Sequence, residues 1–159
     1  MPSINDIKDG TVGCCDYIDN MSPAYKGGFH RQKEGYRINT KALEKLKEYA
    51  DEFSIVVVFA DWCGDARKAV PVLAIIERET GKKITARGGM TKPSYRSNEF
   101  WAVPPSPEEV DIFDITSSPT ILIFNKKGEE IGRIKTKQKM TPTIEEEIVK
   151  IIEDSIKSD

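Results

Sequence analysis

Cys63 follows an unbroken apolar run, Ile55-Val56-Val57-Val58-Phe59-Ala60, with Asp61 and Trp62 between, and leads into Gly64-Asp65-Ala66-Arg67-Lys68. A run of β-branched and aromatic residues of this kind predicts a central strand covered on both faces. The residues beyond it predict a helix carrying Val70, Val72, Leu73, Ile75 and Ile76 to a stop at Gly81, beside Lys82 and Lys83. The chain must therefore pass from buried strand to helix at the cysteine. A thiol in the first turn of a helix faces unpaired backbone N–H groups and the positive end of the helix dipole, which favour thiolate over thiol. A lone cysteine is more commonly a small buried hydrophobe. Trp62, Gly64 and the strand-to-helix junction weigh towards a reactive thiol.

The run Trp62-Cys63-Gly64-Asp65-Ala66-Arg67 resembles the thioredoxin superfamily, in which Trp-Cys-Gly-Pro-Cys follows a buried strand. Two further pieces fit the resemblance. Pro71 stands five residues after the second motif position, where the family helix carries its proline. Ser117-Ser118-Pro119-Thr120 precedes the strand Ile121-Leu122-Ile123-Phe124 and looks like the cis-proline loop that faces the active cysteine. The resemblance spans about Ile38 to Ile156 and implies an α/β, thioredoxin-like fold: a central mixed β-sheet flanked by helices, with an N-terminal extension over 1–37 and the domain over 38–159.

At 159 residues, one core and one domain are expected. Lys+Arg 24 against Asp+Glu 26 leaves no field that would by itself attract nucleic acid or an anionic membrane, so neither is expected as a partner. The start, Met1-Pro2-Ser3-Ile4, has neither the basic residues nor the apolar stretch of a signal peptide, and no apolar run approaches membrane-spanning length. A cytoplasmic protein is the expectation. Three cysteines, two of them adjacent, argue against a secreted disulfide framework.

Residues 1–37 are polar and weakly periodic, and read as an extension packed on the sheet, written β in the element order β, α, β, α, β, α, β, β, α. Ala42, Leu43, Leu46, Tyr49, Ala50 and Phe53 recur at helical spacing behind the caps Asn39 or Thr40. Ile84 to Arg87 is a short strand ended by Gly88-Gly89. The Pro-rich stretch to Pro105 carries Tyr95, Phe100 and Trp101, whose commoner fate is to fold back on the core and whose rarer one is a substrate-facing lid. Ser106-Pro107-Glu108-Glu109 predicts a helix start in which Ser106 caps and Glu109 reaches back. Asn125 to Gly128 closes a hairpin between Thr120–Phe124 and Glu129–Ile134. A last amphipathic helix, with Ile144, Ile148, Ile151, Ile152 and Ile156 on one face, starts at a capping box of Thr143 and Glu146.

In the resembling enzymes the first motif cysteine attacks a substrate disulfide and the second resolves the mixed disulfide. Cys63 matches the first position, and Ala66 occupies the second. The first step is retained and local resolution is lost. Two origins fit Ala66: a natural single-cysteine protein, or a cysteine-to-alanine replacement in a dithiol enzyme, which the surrounding motif favours. Asp65 opposes a thiolate while Arg67 and Lys68 support one. The buried acid that many thioredoxins place six residues before the nucleophile is Val57 here, so Asp61 or Asp65 would have to take the proton instead.

The resemblance implies Trp62, Gly64, Ser118 and Pro119 as substrate-contacting residues, with Pro119 in cis. Cys14 and Cys15 read first as free thiols, because a bridge between neighbours is strained; the functional alternative is that one of them resolves the Cys63 mixed disulfide. No second Cys/His cluster accompanies the pair, and His30 stands alone, so no metal is expected. The implied function is thiol–disulfide oxidoreduction on protein or low-molecular-weight disulfides and thiols, with a reductase as a further partner and no organic cofactor. Its rivals are a thioredoxin-fold binding module or a single-cysteine protein without dithiol turnover. An iron–sulfur carrier of the single-cysteine glutaredoxin kind would need Cys-Gly-Phe-Ser, which Gly64-Asp65-Ala66 does not supply.

Overall fold

The computed structural model describes residues 1–93 and 100–158. In chain order, a 3-10 turn at Ile4–Asp6 is followed by helices α1 (Cys14–Asp19), α2 (Pro23–Gly35) and α3 (Thr40–Tyr49). Strand β1 (Ser54–Val58), helix α4 (Gly64–Thr80), strand β2 (Thr85–Arg87) and the short helix α5 (Glu109–Ile112) come next. The hairpin strands β3 (Thr120–Phe124) and β4 (Glu130–Lys135) and helix α6 (Ile144–Ser158) complete the described elements.

The strands form one mixed sheet in the order β2-β1-β3-β4. β1 pairs in parallel with β2, Val57 opposite Ala86, and antiparallel with β3, Val57 opposite Ile121. β3 and β4 pair antiparallel. Successive side chains of a strand point to opposite faces, so the apolar run of β1 divides between two cores. Val57 and Phe59 join α1, α2, α3, α4 and α6 on one face. Val56, Val58 and Ala60 meet Met90, Trp101, Val110, Phe113 and Ile115 on the other. The central position expected for this strand is the one it holds.

Helix ends follow local chemistry where no distant group competes. Asn39 accepts from the Ala42 amide at 2.9 Å and caps α3. Gly81 ends α4 at φ +73, a conformation that disfavours side chains with a Cβ. The Thr143 hydroxyl accepts from the Glu146 amide at 3.2 Å at the head of α6. Gly128, at φ +84, closes the hairpin turn.

Two expectations are corrected. The extension carries helices α1 and α2, and its β character is confined to isolated bridges, Ser3 with Glu129 and Gly13 with Thr85. Ser106 and Glu109 form no capping box, because tertiary partners take both side chains. The Ser106 hydroxyl accepts from the Thr91 amide at 2.7 Å and donates to the Thr91 carbonyl at 3.1 Å. The Glu109 carboxylate receives Arg87 and the Lys8 amide. Of the loop aromatics, Trp101 folds into the second core while Phe100 stays exposed; Tyr95 lies outside the described residues.

Cys14, Ile18 and Phe29, all from residues before Ile38, are buried in the same core as Val57. If α1 belongs to the cooperative unit, Ile18→Val should lower its stability by about 1 kcal/mol. A urea titration checks this through a lower midpoint at unchanged slope.

Candidate active site

β1 delivers the chain to a turn closed by the Cys63 amide, which donates to the Ala60 carbonyl at 3.1 Å. Cys63 is then the N-cap residue of α4, with φ −78 and ψ 127, so its thiol lies beside the free N–H groups of the first turn. The thiol donates to the Ser118 carbonyl at 3.3 Å. The Ser118 hydroxyl accepts from the Ala60 amide at 2.8 Å, tying the proline loop to the end of β1. The Ser118–Pro119 peptide bond is cis, as are Val103–Pro104 and Pro104–Pro105. The Pro119 carbonyl accepts from the Thr136 amide at 2.7 Å, which fixes the far side of that loop.

Around the thiol, Trp62 is about half exposed, with its ring 6.3 Å from Trp101 and the Lys92 ammonium 5.6 Å above it. Gly64 is exposed, and a Cβ there would meet nothing within 4 Å, so the approach to Cys63 is open on that side. Ala66 is fully buried, one turn into α4. Asp65, Lys68, Gln32, Thr136 and Lys137 contribute to the lining of a cavity of about 410 Å³ along the flank of α4. Val57, at the position of the family's buried acid, lies in the apolar core.

The structure brings Trp62, Cys63, Gly64, Ser118 and Pro119 to one end of the sheet, but not Cys14 or Cys15. The Cys15 thiol donates to the Ala74 carbonyl at 3.2 Å, and Ala74 stands eleven residues along α4 from Cys63. At roughly 1.5 Å per residue that is about 16 Å, well beyond the reach of a disulfide. The role of alternative resolving thiol therefore does not fit either cysteine in this conformation. All three cysteines are free. Burial first, then the Glu77 carboxylate, pushes the Cys14 thiol well above its ordinary value. Burial and the hydrogen bond with Glu77 push Cys15 up to about 11. Both are poor nucleophiles at neutral pH. Among the described residues, no group of three His, Cys, Asp or Glu side chains is gathered for a metal.

The family model described as "Thioredoxin" (Thioredoxin_9) matches residues 14–91, from the start of α1 through the strand, Cys63 and the whole of α4. Over that stretch the chain is thioredoxin-like. Among solved structures, it is similar to a protein of unknown function from Pseudomonas aeruginosa at 13% identity and a TM-score of 0.70, covering 98% of this chain and 99% of that one. An HIV epitope-scaffold gives 12% identity and a TM-score of 0.68, covering 96% and 99%. These likenesses show the fold alone. Fasciola hepatica thioredoxin overlays at 23% identity over 58% of this chain and 77% of its own, with a TM-score of 0.39. Nothing among curated proteins matches the sequence. No described helix is long and apolar enough to cross a membrane.

Within this thioredoxin-like frame, two residues that touch the turn leading to Cys63 escaped the reading of the sequence. Tyr17 donates from its hydroxyl to Asp61 at 2.7 Å, reaching the turn from α1, and Lys92 covers Trp62. Gly88, expected only to end a strand, lies against both Tyr17 and Asp61. The doubled Gly88-Gly89 was the available signal, since a glycine at a strand end also marks a close approach.

Proposed function

We propose that this chain is a thioredoxin-like thiol–disulfide exchange protein with Cys63 as its nucleophile. The observation that carries this reading is the seat of the Cys63 sulfur at the N-terminus of α4, partly exposed and hydrogen-bonded only to the Ser118 carbonyl among the described residues. Trp62, Gly64, Ser118 and Pro119 are assigned to substrate contact, around a thiol that is open on the Gly64 side.

In the proposed step, the Cys63 thiolate attacks one sulfur of a disulfide R–S–S–R′. The Cys63–S–S–R bond forms as the original S–S bond breaks, and R′–S⁻ leaves and takes a proton from water. The number of disulfides is unchanged. With Ala66 one turn on, no local thiol resolves the adduct. A second thiol R″–SH from solution, or a reductase dithiol, attacks it as thiolate, regenerating the Cys63 thiolate; R″–SH yields R–S–S–R″. The reducing thiol pool of a cytoplasmic setting suits this cycle.

Incubation with a small aromatic disulfide, followed by peptide mapping, should place a single adduct on Cys63, reversed by dithiothreitol and abolished by Cys63→Ser. Iodoacetamide should likewise label Cys63 before Cys14 or Cys15. An adduct confined to Cys14 or Cys15, or partner binding unchanged in Cys63→Ser with no adduct at all, would put the binding-module reading in its place.

A further inference from the structure

Tyr17 ties the N-terminal helices to the turn that carries the nucleophile. Its ring packs edge-on against Phe59 at 5.0 Å, and its hydroxyl donates to Asp61 Oδ1 at 2.7 Å. Asp61 stands at the corner of the turn closed by Cys63 and Ala60. A Cβ at Gly88 would lie 2.6 Å from Asp61 Oδ1 and would collide with the Tyr17 hydroxyl, so the pair exists only because that position is glycine. α1 is itself anchored. The Glu77 carboxylate accepts from the Cys14, Cys15 and Ile84 amides at 3.1, 2.9 and 2.8 Å. The hydroxyl therefore sits at the end of a fixed arm.

We propose that Tyr17 is a positioning residue for Cys63: its hydroxyl holds the Asp61 carboxylate on the α1 side of the turn, so that this charge is drawn into a hydrogen bond and opposes the neighbouring thiolate less. The inference rests on the reading of Cys63 as the reactive thiol. Burial, and then the hydrogen bond to Asp61, push the Tyr17 phenol well above its ordinary value, which keeps it a neutral donor wherever thiolate chemistry operates. The other charges around the turn are Arg87 from the end of β2, Asp65, Arg67 and Lys68 on α4, and Lys92 over Trp62. Lys137, from the connection after β4, lines the cavity shared with Asp65 and Lys68. None of these occupies the corner of the turn as Asp61 does.

The test follows the pH dependence of Cys63 alkylation by iodoacetamide, with peptide mapping, in the parent, Tyr17→Phe, Asp61→Asn and the double variant. This readout needs no disulfide substrate, so it stands apart from the mixed-disulfide experiment. Tyr17→Phe keeps the ring on Phe59 and frees the carboxylate. It should raise the alkylation midpoint by about half a pH unit or more, because a nearby like charge disfavours the thiolate. Asp61→Asn should lower the midpoint, and adding Tyr17→Phe to it should move nothing further. A folded Tyr17→Phe protein with an unchanged midpoint overturns the proposal, as does a shift of equal size in the Asp61→Asn background. Should Tyr17→Phe fail to fold, Asp61→Asn alone decides, and an unchanged midpoint in that variant overturns it.

Discussion

Ala66→Cys is expected to convert a protein that stalls as a mixed disulfide into one that turns over. Cys63 is the N-cap of α4 and Ala66 lies one turn further on. Residues three apart on a helix bring their Cβ atoms to about 5–6 Å, close to the separation a disulfide spans once the first turn adjusts. Thiolate formation at the new cysteine then places an attacking sulfur next to the Cys63 adduct, and effective concentration replaces the wait for a thiol from solution. Insulin or a small aromatic disulfide, recycled by dithiothreitol, should be reduced faster than by the parent by about tenfold or more. Ala66 is fully buried, so the added sulfur must fit packed surroundings, and the reduced variant should lose about 1 kcal/mol of stability. Oxidation, closing a bridge between Cys63 and the introduced thiol, should recover it. A variant that forms no bridge and reduces no faster than the parent would leave the single-cysteine and binding-module readings ahead.

The strand, the helix start at Cys63 and the proline loop were legible because each is written in adjacent residues. Ile55 to Ala60 announces a buried strand by composition, Cys63-Gly64 marks the helix start, and Ser118-Pro119 precedes an equally apolar run. What escaped depends on partners far along the chain. α1 has six residues, too few for a periodic signal, and is held by Glu77, more than sixty residues away in sequence. α2 contains Gly27-Gly28, which reads as a loop; in the structure Gly28 lets Arg67 of α4 lie against the helix. Cys14 and Cys15 read first as free thiols, with a resolving role as the alternative; Cys15 bonds to the middle of α4 rather than its start. Ser106 and Glu109 carried a sound local capping pattern, but a largely buried arginine outcompetes a backbone amide for a carboxylate.

That arginine pair supplies the second large effect. Glu109 is fully buried, and Arg87 donates to its two oxygens at 3.0 Å each while the Lys8 amide donates at 2.9 Å. One carboxylate thus staples the N-terminal segment, the end of β2 beside Gly88, and α5. Removing it leaves a largely buried guanidinium without its countercharge, so Glu109→Gln should cost about 3 kcal/mol at neutral pH, measured by urea unfolding. Burial works to raise the Glu109 carboxyl, but the Arg87 hydrogen bonds and the Lys8 amide outweigh it and hold the group below its ordinary 4.5. A carboxyl depressed on folding contributes stability that is fully present above its unfolded value and is lost as pH falls through its lower folded value. The difference between parent and Glu109→Gln should therefore be constant from neutral pH down to about 5 and then shrink on further acidification. A difference that holds steady through the acid range, or that grows there, would mean that the charge of Glu109 is not what joins these three segments.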